Sequence, residues 1–193
     1  MTNLTKDLIK KTFILLLERM PLTQISVKMI VEECGINRNS FYYHYHDLPA
    51  LIEEMMREEV DRIIEAHPSI ESAESLLLAV TDFASENKKA ILHIYNSVNR
   101  SIFERYLWKL CDYIADSYDA SLMKETDIDD FDRELIGHIC KCECFGLVIS
   151  WLDQKMETDS RRFISRFCEL CHGTIEKMIE RSISGSTAQQ QDP

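Results

Sequence analysis

The sequence predicts an all-α chain of about nine helices: an N-terminal three-helix unit built on a helix-turn-helix, then a larger helical domain. Three observations carry this. Apolar residues recur every three or four positions along nearly all of the 193 residues, with no sustained two-residue alternation. Five glycines and four prolines leave little to interrupt helices, and a 45% hydrophobic composition suffices for a substantial core. The stretch from Ser26 to Leu51 reads as two short helices around a tight turn.

Residues 4–20 form a first helix with Ile9, Phe13, Leu16, Leu17 and Met20 along one face. Pro21 ends it, and Ile25 in the following connector plugs the small core. Ser26 caps the second helix, whose apolar face is Ile30, Val31 and Cys34. Gly35 sits just past its end, where a left-handed residue is needed. Asn37 caps a third helix over residues 38–45, which buries Phe41 and Tyr45 and turns Arg38, Asn39, Tyr42, Tyr43 and His44 elsewhere. Arg and Asn suit base edges, while Ser, Tyr and protonated His suit phosphate oxygens, so this surface is a candidate recognition helix.

Asp47 caps a long fourth helix with Pro49 in its first turn. Its apolar positions run from Leu51 to Ile64, and His67-Pro68-Ser69 breaks it. Helices follow over 71–87, 88–98 and 101–118, and an acidic irregular loop over 119–130. A helix over 131–156 is apolar almost all round between Leu135 and Leu152, which requires burial on more than one side. Asp159 caps a final helix over 160–182, and residues 183–193 read as a disordered tail. The domain division is therefore 1–47, a connecting helix 48–68, a domain over 69–182, and the tail.

A net charge of −11 argues against nucleic-acid binding until its distribution is considered. Residues 1–50 hold Lys6, Lys10, Lys11, Arg19, Lys28 and Arg38 against Asp7, Glu18, Glu32, Glu33 and Asp47, a balance of +1, so the rest of the chain carries −12. Weak basicity predicts modest, salt-sensitive affinity per half-site, raised by dimerisation. No signal peptide is evident and no apolar run approaches spanning length, so the chain is expected to be cytoplasmic and free of membrane contact. Seven cysteines, an odd number, are then expected to be mostly reduced thiols.

In these residues the chain resembles the TetR family of bacterial one-component regulators. Cys34-Gly35-Ile36-Asn37 stands for the family's turn, Ser40-Phe41-Tyr42-Tyr43-His44-Tyr45 for its recognition helix, and Asp47-Leu48-Pro49-Ala50-Leu51 for the start of its fourth helix. Val31 and Cys34 replace small residues, and Leu48 stands where the family has a lysine near the phosphate backbone, so that contact is expected to be missing. The resemblance implies a homodimeric regulator with no cofactor and no enzymatic activity. The family's habit is repression, with release from a palindromic operator by a small effector.

Candidate DNA contacts are Lys28, Asn37, Arg38, Asn39, Ser40, Tyr42, Tyr43 and His44, with an ordinary surface lysine as the alternative for Lys28. Phe83, Tyr106, His138 and Phe145 are candidates to line an effector cavity; plain core residues are the alternative. The resemblance also implies pairing through the last two helices, with Leu147, Val148, Trp151, Phe167, Leu170 and Cys171 at the dimer interface. Cys140 with Cys144, and Cys168 and Cys171 with His172 and His138, have ligand types suited to zinc or copper, but buried reduced cysteine is a common apolar filler, so no metal is assigned. No nucleophile motif, glycine-rich phosphate loop or His-Glu-x-x-His spacing is present, which leaves a coactivator controlled by a protein partner, or a thiol- or metal-responsive regulator, as the alternatives.

Overall fold

In a computed structural model the chain is described at residues 2–66, 73–118, 123 and 126–189, and at the side chains of 4–66, 74–116, 123 and 126–184. Among the described residues it is all-α, as expected. The helices are α1 (Thr2–Arg19), α2 (Val27–Cys34), α3 (Arg38–His44), α4 (Leu48–Ala66), α5 (Ala73–Glu86), α6 (Lys88–Tyr95), α7 (Arg100–Tyr118), α8 (Asp130–Asp153), α9 (Ser160–Cys171) and α10 (Thr174–Gln189), with a 3-10 turn at Leu22–Gln24. They divide into two compact units, Met1–Ile63 with Ala84–Leu107, and Ile64–Phe83 with Trp108–Pro193.

The first unit is organised on α1. Ile9, Phe13, Leu16 and Leu17 lie on one stripe and are buried, and Ile25 closes the core beside them. Ile30 of α2, Phe41 of α3 and Leu51 and Ile52 of α4 are wholly buried too. This unit also takes in α6, which was expected in the second domain. Ala90, Ile94 and Tyr95 are buried, and His93 Nδ1 donates to the Leu17 carbonyl at 2.7 Å. Helical periodicity reports that a face is buried, not which element covers it, so the packing of α6 on α1 is not legible in the pattern.

The second unit has its own core, in which Ala115, Met123, Ile128, Ile136, Cys140 and Ile179 cluster. Asp129 caps α8 by accepting from the Phe131 and Asp132 amides. Contrary to the expectation from the sequence, α8 is long and apolar enough to cross a membrane by length and composition. A core helix meets the same criteria, and Ile136, Cys140, Cys144, Val148, Trp151 and Leu152 of α8 are buried against the unit. The break expected at 67–69 and most of the loop expected at 119–130 fall outside the described residues, while Asp130 already opens α8.

Two boundaries differ from expectation. The final helix is two helices, because Gly173 adopts the left-handed region at φ 76° and ends the run that began at Ser160. The helix after it runs on to Gln189, so residues 183–189 are helical rather than tail; a polar composition lowers helix propensity without forbidding a helix that continues an established one. Between α8 and α9, Lys155 and Met156 both have φ 55°, a conformation that costs a residue with a Cβ. Met156 is buried, whereas Lys155 is exposed and gives nothing to the core. Lys155→Gly is therefore expected to raise stability by about 0.5–1 kcal/mol in urea unfolding. An unchanged or lower midpoint would show that the turn holds no relievable strain.

Candidate nucleic-acid interface

The turn is built by two caps and one glycine. Ser26 Oγ accepts the Met29 amide at 3.3 Å, which starts α2. Gly35 at φ 66°, ψ 27° returns its amide to the Glu32 and Val31 carbonyls and ends that helix. Asn37 Oδ1 accepts the Ser40 amide at 2.8 Å and the Ser40 hydroxyl at 3.1 Å, which starts α3 at the next residue, Arg38. The sequence fits this geometry at each step. Among the candidate DNA contacts, Asn37 and Ser40 are thus engaged with one another, and their first role is to fix where α3 begins.

Helix α3 is anchored from beneath. Phe41 is wholly buried and Tyr45 is 3% exposed, and their rings lie 5.8 Å apart. Because these two side chains take the inward face, Arg38, Asn39, Tyr42 and Tyr43 are left exposed and His44 half-exposed. Arg38 is not loose. Its Nη2 donates to the Tyr42 hydroxyl at 3.2 Å, and its guanidinium stands 5.5 Å from that ring's centroid. Tyr43, 75% exposed, meets the His44 ring edge-on at 5.0 Å. Lys28 is exposed at the start of α2 and paired to Glu32 at 3.7 Å, a contact of little energetic weight.

A group of residues outside the expected set supports this platform. Glu54 of α4 receives Lys10 Nζ on Oε1 and Lys6 Nζ on Oε2, each at 2.7 Å, and the Tyr45 hydroxyl donates to Oε1 at 3.1 Å. Lys10 also reaches Glu58 at 2.7 Å. Burial alone would raise the Glu54 carboxyl; hydrogen bonds from Lys10 and Lys6, the charge of Lys10 and the Tyr45 hydroxyl outweigh it and bring it down to about 2. A folded-state pKa below the ordinary 4.5 means that this carboxylate stabilises the fold above that pH, and that the contribution is lost as pH falls toward 2. Wild type is expected to lose more stability than Glu54→Gln between pH 4.5 and 2, read as the shift in urea midpoint. Equal losses would show that the pairing does not lower the carboxyl. The sequence does hold a signal for these residues, since Lys6 and Lys10 share one face of α1 and Glu54 and Glu58 one face of α4, each pair four apart.

His46, 82% exposed beside Asp47, is a further polar group next to α3 that the sequence reading did not single out. Asp47 caps α4 as expected, its Oδ1 accepting the Ala50 amide at 2.8 Å. Leu48 opens that helix and is half-buried, with no charge to offer a phosphate.

Of the candidate effector residues, His138 and Phe145 stand against one ring, Trp108. Tyr106 is half-buried in the first unit, and Phe83 is half-buried in the second. His138 and Phe145 flank Trp108 at ring-centroid distances of 6.3 and 5.1 Å, with His138 exposed. Lys141, paired with Asp112, lies 4.3 Å from the Trp108 centroid. Of the candidate dimer residues, Val148 and Trp151 are buried within the protomer, and Trp151 Nε1 donates to the Thr158 carbonyl at 3.1 Å. Those two have almost no surface left for a partner, because α8 turns that side to its own unit. Leu170 is 66% exposed, and Leu147, Phe167 and Cys171 are half-buried.

The cysteines are free thiols: Cys111, Cys140 and Cys144 are buried, Cys34, Cys168 and Cys171 half-buried, and Cys142 exposed with its Sγ 3.5 Å from His138 Nε2. Burial pushes the Cys140 and Cys144 thiols up to about 11 and about 12, the neutral form of an apolar filler. Among the described residues no group of three or more His, Cys, Asp or Glu side chains is placed to hold a metal ion.

Residues 71–173 match a TetR-family model described as a transcriptional regulator C-terminal region. Among solved structures the chain is similar to the "Dihydroxyacetone kinase operon activator DhaS", with a TM-score of 0.73 and 18% identity over 89% of this chain and 96% of that one. No curated protein matches.

Proposed function

Because the chain belongs to the TetR family of transcriptional regulators, we propose that it binds a palindromic duplex as a homodimer, each protomer placing the N-terminal end of α3 in a major groove. The observation that carries this reading is the anchoring of α3. Phe41 and Tyr45 fix the helix from beneath, and Arg38, Asn39, Tyr42 and Tyr43 are left together on the open side. A seven-residue helix that exposes two tyrosines and an arginine gains little unless that surface meets a partner. Arg38 and Asn39 would read base edges, while Tyr42, Tyr43, His44 and Lys28 would reach phosphates.

Pairing would use the apolar surface that α8 and α9 leave open. Phe131 and Leu135 of α8, and Phe163 and Leu170 of α9, are exposed. A small effector bound within residues 69–182 would favour one arrangement of the dimer over another and so release or retain the DNA. Repression relieved by such an effector is the first reading. The similar protein named an operator activator supports activation as the second.

The test is selection from a random-sequence duplex library by the purified protein, followed by salt titration of the recovered duplex. Recovery of a two-fold sequence, bound with a steep salt dependence, supports the reading. Recovery of no preferred sequence overturns it. Placing the recovered duplex upstream of a reporter then separates repression from activation.

A further inference from the structure

We propose that Glu54 is a positioning residue for DNA recognition, the point at which α4 holds both α1 and the C-terminal end of the recognition helix in register. The inference rests on the reading of α3 as the DNA-contacting helix and extends it to a residue that touches no DNA. Glu54 is the shared acceptor of three donors on two other elements: Lys6 and Lys10 of α1 at 2.7 Å, and the hydroxyl of Tyr45, the C-cap of α3, at 3.1 Å. All four residues lie within the first compact unit.

The location of Tyr45 gives the contact its leverage. A seven-residue helix is too short to hold its own geometry, so its direction is set by what its two ends are fixed to. At the N-terminal end Asn37 supplies a local cap. At the other end the Tyr45 amide bonds to Phe41, and the Tyr45 ring descends 3% exposed to Glu54. The Glu54 side chain is 17% exposed and the Lys10 side chain 14%, so water competes little for these groups and their geometry is held more firmly than in a surface pair. Glu54 lies two turns into α4, so a rotation or slide of that helix moves the anchor of Tyr45 with it. Base readout tolerates little misplacement, because a paired hydrogen bond from Arg38 or Asn39 is lost with a shift of about 1 Å.

Two conservative variants isolate the contact. Tyr45→Phe removes only the hydroxyl and keeps the buried ring; Glu54→Gln keeps an oxygen acceptor for Tyr45 and removes the charge that holds the two lysines. The first measurement needs no DNA. Amide hydrogen exchange of residues 41–46 is expected to quicken about tenfold in Tyr45→Phe, with residues 27–34 of α2 unchanged. The second is binding to the duplex recovered by the wild type from a random library, beside an unrelated duplex of the same length. Both variants are expected to lose about tenfold in affinity for the recovered duplex, with unchanged salt slope and unchanged affinity for the unrelated one. Partial unfolding would instead lower both affinities in the same ratio.

Unchanged exchange at 41–46, or equal loss on both duplexes, overturns the assignment. If exchange quickens but the wild type recovers no preferred duplex, the DNA-recognition reading fails; the contact is then a tie within the fold, and its assignment to recognition is overturned with it.

Discussion

Phe41→Ala is expected to cost about 3–5 kcal/mol of stability and to abolish specific DNA binding together with it. Phe41 is wholly buried at the centre of α3, with the rings of Tyr42 and Tyr45 at 5.7 and 5.8 Å. Removing it leaves a cavity beneath a helix that spans only seven residues. A longer helix could settle on neighbouring apolar contacts; α3 has Tyr45 alone. The loss is a large part of the roughly 5–15 kcal/mol that holds a typical domain together. Urea unfolding of the purified variant measures it, and a loss below about 1 kcal/mol would show that α3 is held by its caps and not by its core residue.

Arg38→Ala is expected to reduce affinity for the recovered duplex about 10- to 100-fold while leaving stability within about 0.5 kcal/mol of wild type. The guanidinium is exposed and its partner in the free protein is the Tyr42 hydroxyl at 3.2 Å. That contact holds the arginine side chain near one geometry before DNA arrives, which lowers the ordering cost of binding. A base contact and a phosphate contact separate in the same experiment. Loss confined to one position of the recognised sequence marks a base edge, whereas uniform weakening with a shallower salt slope marks a phosphate. No loss of affinity would remove Arg38 from the interface.

Local chemistry made the first fifty residues readable. Ser26, Gly35, Asn37 and Asp47 each act on a backbone group within four residues, so side-chain identity and spacing suffice to place both ends of α2 and the starts of α3 and α4. Phe41 and Tyr45 followed from a spacing of four. The Glu54 contact was harder to see, because Lys6 and Lys10 are more than forty residues away in the chain, and charge pattern alone does not say which helix faces which. In the second unit, α8 is apolar on several sides, and composition could not separate Val148 and Trp151, buried in their own protomer, from Leu135 in the open. Gly173 is hidden for the opposite reason: the stripe from Phe163 to Met178 keeps its spacing across a glycine that stops the helix.

The distribution of the thiols has a practical consequence for studying the chain in motion. Three of the seven cysteines are buried and three half-buried, and Cys142 stands exposed next to an imidazole. A maleimide dye added in substoichiometric amount is expected to react at Cys142 ahead of the other six. The native protein would then carry a fluorophore on α8, more than ninety residues along the chain from the recognition helix, without a cysteine having to be introduced or removed.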